Sequence, residues 1–196
     1  MKGTVLKIIS IGLLVSGSAL LIYSSYLLIT INMNEKKALS KAETVISDLE
    51  DKNQFESPAS QYSFNPGDII GILQISKLNK ELPIIEGTDE SELERGVGHY
   101  SSTKLPNQQD RIFLAGHRDT VFKKMGELQK GDKLTLQMKA GTHTYEIFET
   151  LIVKETDLSV LKSTAPQEVL TLSTCYPFEY LSSTTERYII NARRIE

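Results

Sequence analysis

The chain has 196 residues, 40% hydrophobic and 24% charged, with a formal net charge of −3. That composition describes one well-buried domain with appendages; it is short for two domains and too apolar for a disordered chain. One cysteine, Cys175, rules out an intramolecular disulfide. Together with three scattered histidines, His99, His117 and His143, it gives no spacing for a structural zinc, and no basic run exceeds two residues, which argues against nucleic acid as a partner.

Between Ile8 and Ile31, 24 residues carry no formal charge. As a helix they would extend about 36 Å, enough to cross a hydrocarbon core of roughly 30 Å with some tilt. Gly17-Ser18-Ala19 would suit a signal-peptide cleavage site. The apolar run continues twelve positions past Ala19, longer than a signal peptide requires, so an uncleaved membrane anchor is expected. Lys2 and Lys7 precede the span without any acid, which favours an N-in orientation with residues 35–196 outside the cytoplasm. That exported portion holds 20 basic and 25 acidic side chains, because Lys2 and Lys7 are the only charged residues before it.

Residues 1–34 are thus read as cytoplasmic tip and anchor, 35–66 as a connecting segment and 67–196 as the folded domain. In the connector, Ala38, Leu39, Ala42, Val45, Ile46 and Leu49 recur at helical spacing, predicting an amphipathic helix over 35–51. A stalk lying on the domain is the expected role; a cover across the functional site is the alternative. Residues 52–66 are polar and rich in turn formers, and Phe55, Tyr62 and Phe64 are expected to dock on the domain.

Strands are predicted over 68–75 and 82–86, followed by a short helix entered at Thr88-Asp89 and stopped by Gly96 or Gly98. A strand over 111–115 runs into Gly116-His117, and 122–128 is a short helical turn. Residues 133–138 and 142–149 alternate apolar and polar across Lys139-Ala140-Gly141, predicting a hairpin, with 151–154 continuing or restarting its second strand. A brief helix is expected over 157–161, and strands over 169–174 and 187–192. Seven or eight short strands with few helices point to a closed or nearly closed β-barrel.

Reactive chemistry concentrates in three places. Thr171-Leu172-Ser173-Thr174-Cys175 puts the lone thiol at a strand end, Arg187 opens the final strand, and His117 follows an apolar run. Thiol, imidazole and guanidinium supply a nucleophile, a proton shuttle and a cation for a developing oxyanion, the groups needed for thiolate acyl transfer. His99, expected in a loop, and His143, expected to point outward from a hairpin strand, fit the imidazole role less well. Arg193 shares a strand face with Arg187 by alternation, whereas Arg194 lies opposite. Asp119 is expected to pair with Arg118 in solvent rather than to orient His117. The stretch Leu105-Pro106-Asn107-Gln108-Gln109 reads as a surface loop.

The ordered set of Gly116-His117, Thr171–Cys175 and Arg187, with the N-terminal anchor, resembles the sortases, cysteine transpeptidases of the Gram-positive cell surface. The resemblance covers roughly residues 67–195. Leu-Pro-Ile-Ile-Glu-Gly-Thr at 82–88, Gly96-Val97-Gly98-His99-Tyr100, His117-Arg118-Asp119-Thr120 and Cys175-Tyr176-Pro177-Phe178 look most like the class D branch. It implies catalytic roles for Cys175, His117 and Arg187, and contact with substrate by Ser173, Thr174 and Ala115. The implied substrates are Leu-Pro-x-Thr-(Gly/Ala) sorting signals at the C-termini of exported proteins. The implied acceptor is an amine of peptidoglycan or its lipid-linked precursor. No cofactor is expected; some sortases use calcium, but Glu92, Glu94 and Glu155 form no recognisable ligand loop here. A thiol peptidase that only hydrolyses, or a non-catalytic anchored surface domain, are the alternatives.

Overall fold

The computed structural model describes residues 2–50, 63–139, 141–178 and 184–195. A long helix, α1 (Lys2–Glu50), leads into eight strands: β1 (Ile69–Ile75), β2 (Lys80–Glu86), β3 (Val97–His99), β4 (Arg111–Ala115), β5 (Lys133–Met138), β6 (Gly141–Lys154), β7 (Val169–Tyr176) and β8 (Glu186–Arg194). A four-residue helix, α2 (Glu90–Leu93), and three 3-10 turns (Ser76–Leu78, Met125–Glu127, Leu158–Leu161) complete the described elements. The strands close into a barrel in the order β1-β2-β3-β4-β7-β8-β6-β5. The β2–β3 and β4–β7 pairs are parallel and the rest antiparallel, so the sheet is mixed.

Side-chain alternation decides what the barrel encloses. Ile112 and Leu114 of β4, Leu170 and Leu172 of β7, and Ile190 and Ala192 of β8 belong to one buried cluster. Burying each of the larger aliphatic groups contributes roughly 1.5–3 kcal/mol. The intervening residues, including Phe113, Ala115, Ser173, Cys175, Arg187 and Ile189, therefore fall on the outer face of the β4–β7–β8 sheet. That outer face carries the site described below.

Several expectations are revised. The anchor and the amphipathic segment are one uninterrupted helix rather than two elements. Within it the stretch Ile9–Leu27, of mean hydropathy 1.5 and with no buried residue, is long and apolar enough to cross a membrane. The helix packs on β1 and β2 through Ala38 and Ala42, both buried. In the barrel order β1 and β2 lie diametrically opposite β7 and β8, so residues 35–50 sit behind the thiol-bearing sheet, not across it. Phe64 packs against the core, whereas Phe55 and Tyr62 lie outside the described residues, as does most of the predicted linker.

Strand β3 is not predicted at all; its Val-Gly-His sequence is too short to show a period of two, and only the flanking strands make it a strand. β6 runs without a break for 14 residues, so 151–154 continue it. The pairing with β8 shifts register between Ile147 and Glu149, a bulge that keeps both halves of the strand in the sheet. The loop holding Leu105 is a surface loop only in part, since Leu105 packs against the core and Pro106 is buried.

Candidate active site

The parallel β4–β7 register pairs Ala115 with Ser173, and the amide of Gly116 donates to the Ser173 carbonyl (3.1 Å). The Thr174 hydroxyl donates back to the Gly116 carbonyl (2.7 Å). These bonds tie the residue before His117 to the two residues before Cys175, although 58 positions separate Gly116 from Thr174. On the other side of β7, Cys175 is the direct cross-strand partner of Arg187. Directly opposed antiparallel residues have Cβ atoms about 4.5–5.5 Å apart, so the thiol and the guanidinium stem are neighbours by register. Cys175 is half-buried, a setting in which a thiol is both shielded and reachable.

Arg187 is held by three acceptors. Its Nη1 donates to the Thr184 and Glu186 carbonyls (3.0 Å each), and Nη2 to Glu155 Oε2 (2.9 Å). The planar fork allows several bonds at once while the charge persists at any working pH. Arg193 and Arg194 are engaged elsewhere, with Glu146 and Glu168 respectively. The imidazole of His117 has Nε2 3.5 Å from Glu90 Oε1, a loose contact to an exposed carboxylate. Asp119 instead approaches the Arg118 guanidinium (3.7 Å), as expected. Glu90 and Glu155 are acids the sequence did not mark for these positions. Both reach a side chain more than 25 residues away, and no local pattern encodes such a pairing.

A groove of about 240 Å³ opens on this outer face. Its floor includes Phe113, Ala115, Ser173, Ile189 and Arg187, and its rim the segment from Val153 to Leu161, with Glu155 and Leu158. Ser173 and Ala115 therefore line a surface a peptide could occupy. Thr174 does not: the residue is 3% exposed and its hydroxyl donates to the Gly116 carbonyl. A larger hollow of about 460 Å³ beside Phe148, Glu168 and Arg194 contains none of the reactive groups.

The competing histidines are both buried. His99 lies on β3, not in a loop, with Nδ1 2.7 Å from Glu86 Oε2 and Nε2 3.1 Å from the Lys104 carbonyl. Acceptors facing both ring nitrogens commit this imidazole to the fold. Burial pushes the Glu86 carboxyl up, but hydrogen bonds from His99 and Ser101 outweigh it and hold the group below its ordinary value. His143 points inward, contrary to expectation, because its strand parity follows Tyr145 and Ile147 into the core. Among the described residues no group of three or more His, Cys, Asp or Glu side chains could hold a metal ion.

A profile of the sortase domain matches residues 73–195. Sortase D of Bacillus subtilis (strain 168) is 41% identical over 196 residues, covering 97% of this chain and 96% of that protein. Sortase SrtE1 of Streptomyces coelicolor is 31% identical over 83% of this chain and 50% of its own length. Among solved structures, a Clostridium perfringens Sortase D5 transpeptidase superposes with a TM-score of 0.69 at 28% identity, covering 84% of this chain and 99% of that one. Sortase C1 from Streptococcus suis gives 0.61 at 28% identity over 66% and 74%. An eight-stranded mixed barrel, a lone cysteine near the end of β7 and these likenesses lead to one conclusion: the chain belongs to the sortase family of cysteine transpeptidases.

Proposed function

We propose that this sortase cleaves a Leu-Pro-x-Thr-(Gly/Ala) sorting signal after Thr and passes the acyl group to a cell-wall amine. In this reading the Cys175 thiolate attacks the Thr carbonyl, and the oxyanion forms beside Arg187. The C–N bond then breaks as His117 protonates the leaving amine, producing a thioester. An amine from peptidoglycan or its lipid-linked precursor adds to that thioester, His117 takes its proton, and the thiolate leaves. The Cys175–Arg187 cross-strand register, with Gly116 stitched to Ser173 and Thr174, supports the assignment: thiol and guanidinium stem are strand neighbours, and the residue before His117 is tied to the two residues before Cys175. The groove floor of Ala115, Phe113 and Ile189 offers apolar surface for a Leu-Pro pair.

The apolar stretch Ile9–Leu27 supports a single-pass anchor. With Lys2 and Lys7 on the cytoplasmic side, the barrel would work outside the membrane, where lipid-linked amines are at hand.

Incubation with a Leu-Pro-x-Thr peptide and a high concentration of a small amine tests the reading by mass spectrometry. The expected product is the Thr amide of the amine, in excess over free acid, and none from Cys175→Ala. Free acid alone would move the hydrolytic thiol peptidase ahead. Cleavage by Cys175→Ala at the wild-type rate would remove the nucleophile assignment.

A further inference from the structure

His117 and Cys175 are bracketed on both sides. Before them, Gly116 is bonded to Ser173 and Thr174. After them, Nη1 of Arg118 donates to the Pro177 carbonyl (2.9 Å), 59 residues away in the chain. Residue 117 is thus held at 116 and 118, and residue 175 at 173, 174 and 177, by the same three contacts. Arg118 is a costly side chain for this task, since its side chain is only 6% exposed. A buried guanidinium loses hydration that only partners can replace. Its carboxylate neighbour Asp119 is 3.7 Å away and 58% exposed. The rest of the His117 loop is also pinned. Lys80 donates from Nζ to the Thr120 and Val121 carbonyls (3.1 and 2.6 Å), and the Phe122 amide donates to the His117 carbonyl (3.0 Å).

We propose that Arg118 is a positioning residue for acyl transfer: its guanidinium locks the segment after His117 to the segment after Cys175 and so fixes the separation of imidazole and thiol. This rests on the roles proposed above for His117 and Cys175. The proton His117 exchanges with the leaving and attacking amines must travel along a hydrogen bond whose length this clamp sets. A displacement of about 1 Å in such a pair can cost on the order of a hundredfold in rate. The two bonds at Gly116 tie only the segments that precede His117 and Cys175, whereas the Arg118–Pro177 bond joins the segments that follow them. Lysine should not substitute. One ammonium on a flexible stem lacks the fork that holds the Pro177 carbonyl while facing Asp119.

Arg118→Lys and Arg118→Met in the full-length, detergent-solubilised chain provide the test, with steady-state transpeptidation of a Leu-Pro-x-Thr peptide, thermal melts, and Cys175→Ala and His117→Ala as controls. Both Arg118 variants are expected to lose at least about tenfold in kcat with KM changed by less than about threefold, at temperatures well below their melting points. A purely structural residue would lower the melting temperature and leave kcat intact in the folded protein, and that outcome overturns the proposal. Should Arg118→Met fail to fold, the Lys variant decides alone, and wild-type kcat there is equally fatal. If the two controls remain active, the failure lies in the catalytic assignment itself. If they are inactive while the Arg118 variants turn over normally, only the clamp is wrong.

Discussion

Three acceptors engage the guanidinium of Arg187, two of them backbone carbonyls of its own turn, so its direction is set before any substrate arrives. Lysine at this position keeps the charge but cannot serve these acceptors and an oxyanion together. Arg187→Lys is therefore expected to lose at least about a hundredfold in turnover with little change in melting temperature, measured by peptide cleavage and calorimetry. His143 presents the opposite case, a polar group with no evident task. It is 3% exposed, and neither ring nitrogen has a hydrogen-bond partner. Burial lowers its affinity for a proton, Arg194 reinforces the effect and Glu168 opposes it. The unfolded chain takes up a proton near the ordinary value of 6.5 that the folded chain resists. This contribution to stability is complete above that pH and is lost as the pH falls toward the lower folded value. His143→Leu, similar in bulk and free of orphan nitrogens, should raise stability by roughly 1 kcal/mol at neutral pH. It should also flatten the acid-side decline in denaturant melts run at several pH values; an unchanged slope would count against a neutral, buried imidazole.

At the scale of elements, the shortest described strand leaves no room for a side chain at its central residue. β3 is squeezed between β2 and β4, and a Cβ at Gly98 would lie 2.5 Å from the Gly87 carbonyl and 2.9 Å from Leu93 Cδ2. The carbonyl belongs to backbone that is itself anchored, since the Gly87 amide donates to the His99 carbonyl (2.9 Å). It cannot retreat as a flexible side chain would. Gly98→Ala is expected to destabilise the domain by about 1–3 kcal/mol in urea melts. Gly98 pairs with Ala115, next to the His117 loop, so turnover should fall as well. A neutral effect on stability would mean that β3 can shift outward. The closing segment of the site depends on a similar approach: Phe178, just beyond Pro177, packs so near Gly126 that a Cβ there would come within 2.8 Å of its ring.

Across the whole molecule, the helix and the groove occupy opposite sides of one barrel. Small residues at Ala38 and Ala42, one helical turn apart, allow α1 to lie close to β1 and β2. Ala42→Leu adds three carbons at a position only 1% exposed and should push the helix off the sheet, lowering the melting temperature by an amount equivalent to about 1–3 kcal/mol. Because β7 and β8 are remote from that contact, kcat of the folded variant should match the wild type in the amine-transfer assay. Loss of activity would instead reveal coupling between stalk and site.

Much of this protein was legible in its sequence because the relevant physics is local. An uncharged stretch from Ile8 to Ile31, period-two alternation in β5 and the first half of β6, and a lone thiol at the end of a predicted strand all depend on neighbours within a few residues. The grouping of His117, Cys175 and Arg187 was suggested by the order of three short motifs, which resembles that of the sortases. What tertiary structure decided depends on groups far apart in the chain. Val97–His99 is a strand only because β2 and β4 flank it, and His143 faces inward only because the parity of a 14-residue strand is set by Tyr145 and Ile147 in the core. The acids at Glu90 and Glu155, the bond from Thr174 to Gly116 and the clamp from Arg118 to Pro177 arise from barrel closure. Closure brings strand ends separated by dozens of residues within hydrogen-bond reach, and no pattern of adjacent side chains specifies which of them will meet.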